Sequence, residues 1–212
     1  GLGDVYKRQS VADINTIAAL TTGAVTATIT DGTAAALTGI TESGNNLSLT
    51  ITDTTVSAAD IATIDSKTAL PVDASAVTTI TGTNTEILAA YALNTATTTT
   101  GLGNEAITPT NTSLTVAEAN ALAALTSGAV TATITEGDMA TLANIAETGH
   151  AYTVTVTDTT ATGLSLTQLD AKTTVAVNAT AVTTITGTLA QVDAALDANA
   201  AGTITGIGDV AV

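Results

Sequence analysis

Apolar and polar residues alternate with a period of two in several short runs. In Val25–Thr30, Val25, Ala27 and Ile29 share one side and Thr26, Thr28 and Thr30 the other. Leu47, Leu49 and Ile51 repeat the device opposite Ser48, Thr50 and Thr52, as do Tyr152, Val154 and Val156 opposite Thr153, Thr155 and Thr157. This alternation predicts β-strands with one covered face. Shorter runs at Val72/Ala74 and Val175/Val177 predict a third strand in each half of the chain. Corresponding strands begin about 22–24 residues apart, a spacing typical of stacked repeats.

Between the strands the pattern changes to helical spacing. Ser or Thr followed three residues later by Glu or Gln occurs at Thr83/Glu86, Thr115/Glu118, Ser165/Gln168 and Thr188/Gln191, with close variants at Ser10/Asp13 and Ser57/Asp60. The hydroxyl satisfies one free N–H of a first helical turn and the acidic or amide group another, so each pair predicts a helix start. Apolar positions then recur at helical intervals, as in Val11, Ile14, Ala18 and Val116, Ala119, Leu122. Gly23 and Gly128 are the expected helix stops.

The whole pattern is duplicated. VADINTIAALTTGAVTATIT, Val11 to Thr30, returns as VAEANALAALTSGAVTATIT, Val116 to Thr135, and the 105-residue offset holds without a gap to Val212. About half of the aligned positions are identical. The expected organisation is a first block at 10–114 and a second at 115–212, cut off in mid-pattern. Alternating strands and short helices favour parallel crossovers, which are right-handed. Units this short cover their apolar sides only by stacking on neighbours of the same chain. The fold expected is therefore α/β: a right-handed α/β solenoid with one parallel sheet and a layer of short helices. A parallel β-helix is the alternative, and a doubly wound globular domain ranks third.

Composition sharpens this picture. The chain has no Cys, Trp or Phe, so Ala, Val, Ile and Leu must fill the core in thin layers. Disulfides, thiol catalysis and Cys-ligated metals are excluded. The net charge of −15 opposes nucleic-acid binding, which needs basic surface to displace counterions. No run of 18 apolar residues predicts membrane insertion. Gly1–Gln9 (GLGDVYKRQ) contrasts with the rest, carrying Lys7 and Arg8 out of four basic residues. It resembles a translated transposon-end sequencing adapter and is set aside. Lys67 and Lys172 are then the remaining cations, each near an expected helix C-terminus, where the macrodipole favours them.

Candidate chemistry is sparse. His150, aligned with Asn45, reads as a turn residue; a Ser–His–Asp site needs a positioned base that this isolated histidine does not suggest. Gly101-Leu102-Gly103-Asn104-Glu105-Ala106 and Gly206-Ile207-Gly208-Asp209-Val210-Ala211 match a loose G-x-G-x-x-A. A strand-like run follows the glycines where a dinucleotide site needs a helix, so both read as backbone turns. Neither catalytic nor cofactor-binding residues are assigned. Asp53 and Asp158, in the TDTT motif, are candidates for weak calcium binding, although solvated turn carboxylates are the simpler expectation and no EF-hand loop is present. Asp65 and Asp170 fall late in expected helices. Thr26, Thr28, Thr30, Thr50, Thr52, Thr131, Thr133, Thr135, Thr153, Thr155 and Thr157 form a candidate contact face, with Thr26/28/30 expected beside Ser48/Thr50/Thr52 and Thr131/133/135 beside Thr153/155/157. Such rows are similar to the threonine ladders of ice-binding solenoids, although Asp73, Ala176 and Asn178 interrupt them and Thr suits any exposed strand.

The motifs AVTATIT, TDTT, AVTTITGT and GLGN, over Ser10 to Val212, resemble the acidic Thr/Ala/Val-rich repeat regions of very large surface or secreted proteins of aquatic bacteria, cyanobacteria among them. The resemblance implies an extracellular or cell-surface location. The expected function is a noncatalytic structural or adhesive module touching neighbouring repeats, and glycans or surface proteins. A calcium-stabilised adhesin and an enzyme on a solenoid scaffold, such as a polysaccharide lyase, are the rivals. The enzyme needs clustered basic and acidic groups that two lysines supply poorly.

Overall fold

The computed structural model describes residues 8–212, leaving most of the adapter-like segment, Gly1 to Lys7, outside the described residues. The chain is mixed α/β and divides into two compact units after Thr110, slightly ahead of the expected block boundary.

The first unit holds strands β1 (Arg8–Gln9), β2 (Thr26–Ile29), β3 (Asn46–Ser48), β4 (Thr55–Ser57), β5 (Val72–Asp73), β6 (Thr79–Gly82), β7 (Thr99–Thr100) and β8 (Ala106–Pro109). Its helices are α1 (Val11–Ala18), α2 (Ala34–Leu37), α3 (Ala58–Asp65) and α4 (Asn84–Thr95). The second unit holds β9 (Ser113–Leu114), β10 (Thr131–Ile134), β11 (Ala151–Thr153), β12 (Thr160–Thr162), β13 (Val177–Asn178), β14 (Thr184–Thr186) and β15 (Ile204–Thr205), with α5 (Val116–Ala123), α6 (Met139–Leu142), α7 (Gly163–Asp170) and α8 (Leu189–Ala201).

Every described strand pair is parallel, and each strand finds its partner in its own unit. The sheets run β1-β2-β3, β4-β6-β8 and β5-β7 in the first unit, and β9-β10-β11, β12-β14 and β13-β15 in the second. The single sheet expected is thus replaced by several small ones. The physical reason is the shortness of the straight runs. After β3 the chain turns through Asp53 and begins β4 at Thr55, so one passage around the core contributes strands to more than one sheet. Arg8 and Gln9, set aside with the adapter-like segment, pair with Thr28 and Ile29 as Ser113 and Leu114 pair with Thr133 and Ile134. That pairing is made by main chain, which carries no side-chain requirement.

The pairing step grows along each unit. Thr26 lies opposite Asn46, Thr50 opposite Asp73 and Val72 opposite Thr99; in the second unit Thr131 lies opposite Ala151, Thr155 opposite Asn178 and Val177 opposite Ile204. Over these three steps of the first unit the helix spanned lengthens in parallel, α2 having 4 residues, α3 having 8 and α4 having 12, whereas the step into β2, with Gln9 opposite Ile29, is as short as the next although it spans the 8-residue α1. Each increment is close to one turn of 3.6 residues, which returns the chain to the same exit direction. The step after β2 is shorter than expected and holds a single-turn helix, α2.

Capping chemistry sets most helix starts. Both halves of the box form at Ser10/Asp13, Thr83/Glu86, Thr115/Glu118 and Thr188/Gln191. At Ser57 the hydroxyl accepts from the Asp60 N–H. The box expected at Ser165/Gln168 does not mark a start: Thr162 caps α7 by accepting from the Ser165 N–H, because β12 runs directly into the helix. Gly23 and Gly128 do not stop helices either. α1 and α5 end several residues earlier at Ala18 and Ala123, and each glycine N–H donates instead to a threonine hydroxyl two residues back, Thr21 or Thr126. The left-handed C-cap is Gly202, with φ of 80°.

Inward-facing Val, Ile, Leu and Ala fill both cores. Tyr152 is the largest fully buried side chain; its hydroxyl reaches the Ala119 carbonyl at 3.4 Å, and burial, assisted by Glu147, pushes its pKa up to about 12. The equivalent positions in the first unit carry Leu47 and Ile14, both buried. A larger side chain at one position is offset by a smaller one at the other. Tyr91 and Glu105 differ from the second unit in another way: the buried phenol donates to the carboxylate at 2.6 Å, and the second unit has the aliphatic Leu196 and Val210 in their places.

Ala119→Ile alone is expected to cost about 1–3 kcal/mol by overpacking against Tyr152. Combined with Tyr152→Leu, which restores the first unit's pair, the loss should be smaller than the sum of the single changes, as read by urea unfolding in a double-mutant cycle. Additive losses would show that the two positions do not share space. Gly101 (φ 92°) and Gly206 (φ 92°) have backbone of Ser75 and Thr180 within 2.7 Å of where a Cβ would lie. Gly206→Ala should therefore destabilise by about 1–3 kcal/mol, combining overpacking with left-handed strain, measured by thermal unfolding.

Candidate functional site

All eleven threonines of the expected contact face are exposed, with Ala27, Ile29, Leu47, Leu49 and Ile51 buried behind those of the first unit. The register differs from expectation by two residues: Thr28, not Thr26, lies opposite Ser48, and Thr133, not Thr131, lies opposite Thr153. Thr26 faces Asn46 and Thr131 faces Ala151. A slip of two preserves the faces, so every hydroxyl still points outward. In the second unit Ser113, Thr133 and Thr153 form one continuous hydroxyl row. The neighbouring row runs Thr155–Asn178–Thr205, and its first-unit counterpart Thr50–Asp73–Thr100. Asp73 and Asn178 thus interrupt the ladders as the sequence indicated. Ser75 holds the Asp73 carboxyl below its ordinary value by donating its backbone N–H and then its hydroxyl.

Thr30 and Thr135 donate to the carbonyls of Gln9 and Leu114, and Thr135 also to Glu136. The other face hydroxyls have no hydrogen-bond partner within the described residues. Thr52 and Thr157 lie against Gly32 and Gly137, where a Cβ would come within 2.5 and 2.4 Å of their methyl groups. A second threonine surface escaped the sequence reading. Ser57, Thr81 and Thr108 align across β4, β6 and β8, and Thr160 and Thr162 align with Thr184 and Thr186. The alternation in AVTTITGT was its signal.

Asp53 and Asp158 have a defined role. The Asp53 carboxylate accepts the Ala34 N–H at 2.6 Å, and Asp158 accepts that of Met139 at 2.6 Å. These are the first amides of α2 and α6, one pairing step earlier in the chain. Asp31 and Glu136 do the same for α1 and α5 through Val11 (2.7 Å) and Val116 (3.1 Å). Each of these four helix starts is closed by its own cap residue and by an acid about twenty residues further along the chain, where the dipole favours negative charge. Asp65 and Asp170 accept the hydroxyls of Thr99 and Thr203. Among the described residues no three His, Cys, Asp or Glu side chains converge as a metal-holding group.

His150 is not a simple turn residue. It is 5% exposed, and its Nδ1 accepts the Val130 N–H at 3.1 Å. Asn45 occupies the same position in the first unit and accepts the Val25 N–H at 2.8 Å. The shared feature is an acceptor, which the His/Asn alignment already contained. The glycines of GLGN form the turn between β7 and β8: Gly101 and Gly103 have positive φ, and Asn94 accepts the Leu102 N–H. Lys172 donates to the Ala146 carbonyl at 2.8 Å, and Lys172 borders a cleft of about 470 Å³ between α6 and α7, floored by Leu142 and Leu169.

Removing the Asp158 cap by Asp158→Ala should cost about 0.5–2 kcal/mol and Asp158→Asn less, read as the urea midpoint of the second unit. The differences should be the same with calcium or with chelator; a calcium-dependent difference would return Asp158 to metal binding.

In comparison with known proteins, no family model, no curated protein and no solved structure matches this chain.

Proposed function

We propose that the chain is a noncatalytic structural or adhesive repeat module of an extracellular or cell-envelope protein, each unit being a right-handed α/β solenoid. The observation that carries this reading is the register. Within each unit every strand pairs in parallel with a strand of an adjacent coil, and side chains such as Asn15, Asp53, Thr68 and Asn120 bond to the adjacent coil. A chain built this way spends its polar groups on holding coil to coil. The parallel β-helix remains the second reading, favoured by the presence of more than one short strand in several coils.

The exposed hydroxyl rows are the contact surface in this proposal. Threonine methyls and hydroxyls together suit the mixed apolar and polar faces of glycans, and the acidic surface limits nonspecific association. The location is supported by the composition and the resemblance of the repeat motifs. No described helix is long and apolar enough to cross a membrane.

Purified protein on a polysaccharide array is expected to show weak binding that falls several-fold in Thr133→Val/Thr153→Val, with no product released from the bound glycans. Product release would favour the solenoid enzyme. The thermal midpoint should be unchanged between calcium and chelator; a rise of several degrees with calcium would favour the calcium-stabilised adhesin.

A further inference from the structure

Of the two equivalent buried acceptors, only His150 can exchange its role for the opposite one in the physiological pH range. Nδ1 accepts from Val130, so the neutral ring carries its proton on Nε2. The first unit has an amide oxygen here, which stays an acceptor at every pH. We propose that His150 is an acid-operated latch: its protonation places an Nδ1–H against the Val130 N–H and releases the His150 ring from Val130, just ahead of β10, in the second unit alone.

The surroundings support a latch. The main chain of His150 is held from the other side, its carbonyl accepting the Thr174 N–H at 2.9 Å and Thr174 hydroxyl at 3.3 Å. The Tyr152 ring lies 5.3 Å away, centroid to centroid, and its phenol stays neutral well above the relevant range. Glu147, in the histidine's own loop, is the carboxylate that favours imidazolium. At the end of α7 Asp170 accepts from Thr203, and just beyond it Lys172 donates to the Ala146 carbonyl. The segment from Ala124 to Val130 carries no charged residue. Desolvation by burial outweighs Glu147 and holds the His150 pKa below its ordinary value. The unfolded chain therefore takes up the proton first. The stability contributed by neutral His150 is complete above about pH 6.5 and is lost as pH falls through the lower folded-state pKa.

The full chain has one histidine, so its imidazole NMR signals are unambiguous. The expected result is a His150 midpoint below about 6.5, with the Val130 amide resonance moving at that same midpoint and its exchange protection falling at least ten-fold. His150→Asn should remove this step while leaving the carboxylate titrations below it, and Asn45→His should install it at Val25. An ordinary midpoint, a Val130 amide that ignores the titration, or an equal acid response in His150→Asn overturns the proposal. If His150→Asn fails to fold, the Asn45→His result decides.

Discussion

Both units depend on main-chain hydrogen bonds made between parallel strands that lie about twenty residues or more apart in the chain. Strands of two to four residues do not persist alone, and helices of one or two turns are too short to hold themselves. Each becomes stable when a neighbour supplies the missing acceptors and covers its apolar side. The carboxylates of Asp31, Asp53, Glu136 and Asp158 extend the same principle to side chains. They satisfy helix amides about twenty residues earlier in the chain, so loss of either segment unpairs polar groups in the other.

This explains how a core without Phe or Trp suffices. Ala, Val, Ile and Leu bury little area apiece, but thin layers bring backbones close enough for a dense polar framework. Gly32, Gly137, Gly101 and Gly206 mark where that approach is tightest. The two units solve the packing differently in detail. Leu47 with Ile14 and Tyr152 with Ala119 fill equivalent volume, and Tyr91–Glu105 exchanges a buried hydrogen bond for the aliphatic Leu196 and Val210. Both members of each pair lie within one unit.

Much of the architecture was legible in the residues. Alternation located the β2, β3, β10 and β11 strands, and capping boxes located α1, α4, α5 and α8, because both signals are local. The single-turn helices α2 and α6 were not legible, since four residues contain no period. Missing them displaced the expected register by two and hid the division of the sheet. The orientation of the threonines survived because face depends on parity alone. His150 and Asp158 were misjudged for a different reason: their partners are about twenty residues away, and no local pattern reveals an acceptor directed at another coil's amide.

The lengthening of the helices by whole turns has a consequence for how such a chain changes. A coil can gain or lose three or four residues at a helix and still deliver the next strand on line, whereas a change of two would rotate the exit by more than half a circle. Circumference is thus adjustable in discrete notches while the ladder stays in phase. Within each unit the later helices can lengthen in this way without any break in the strand pairing.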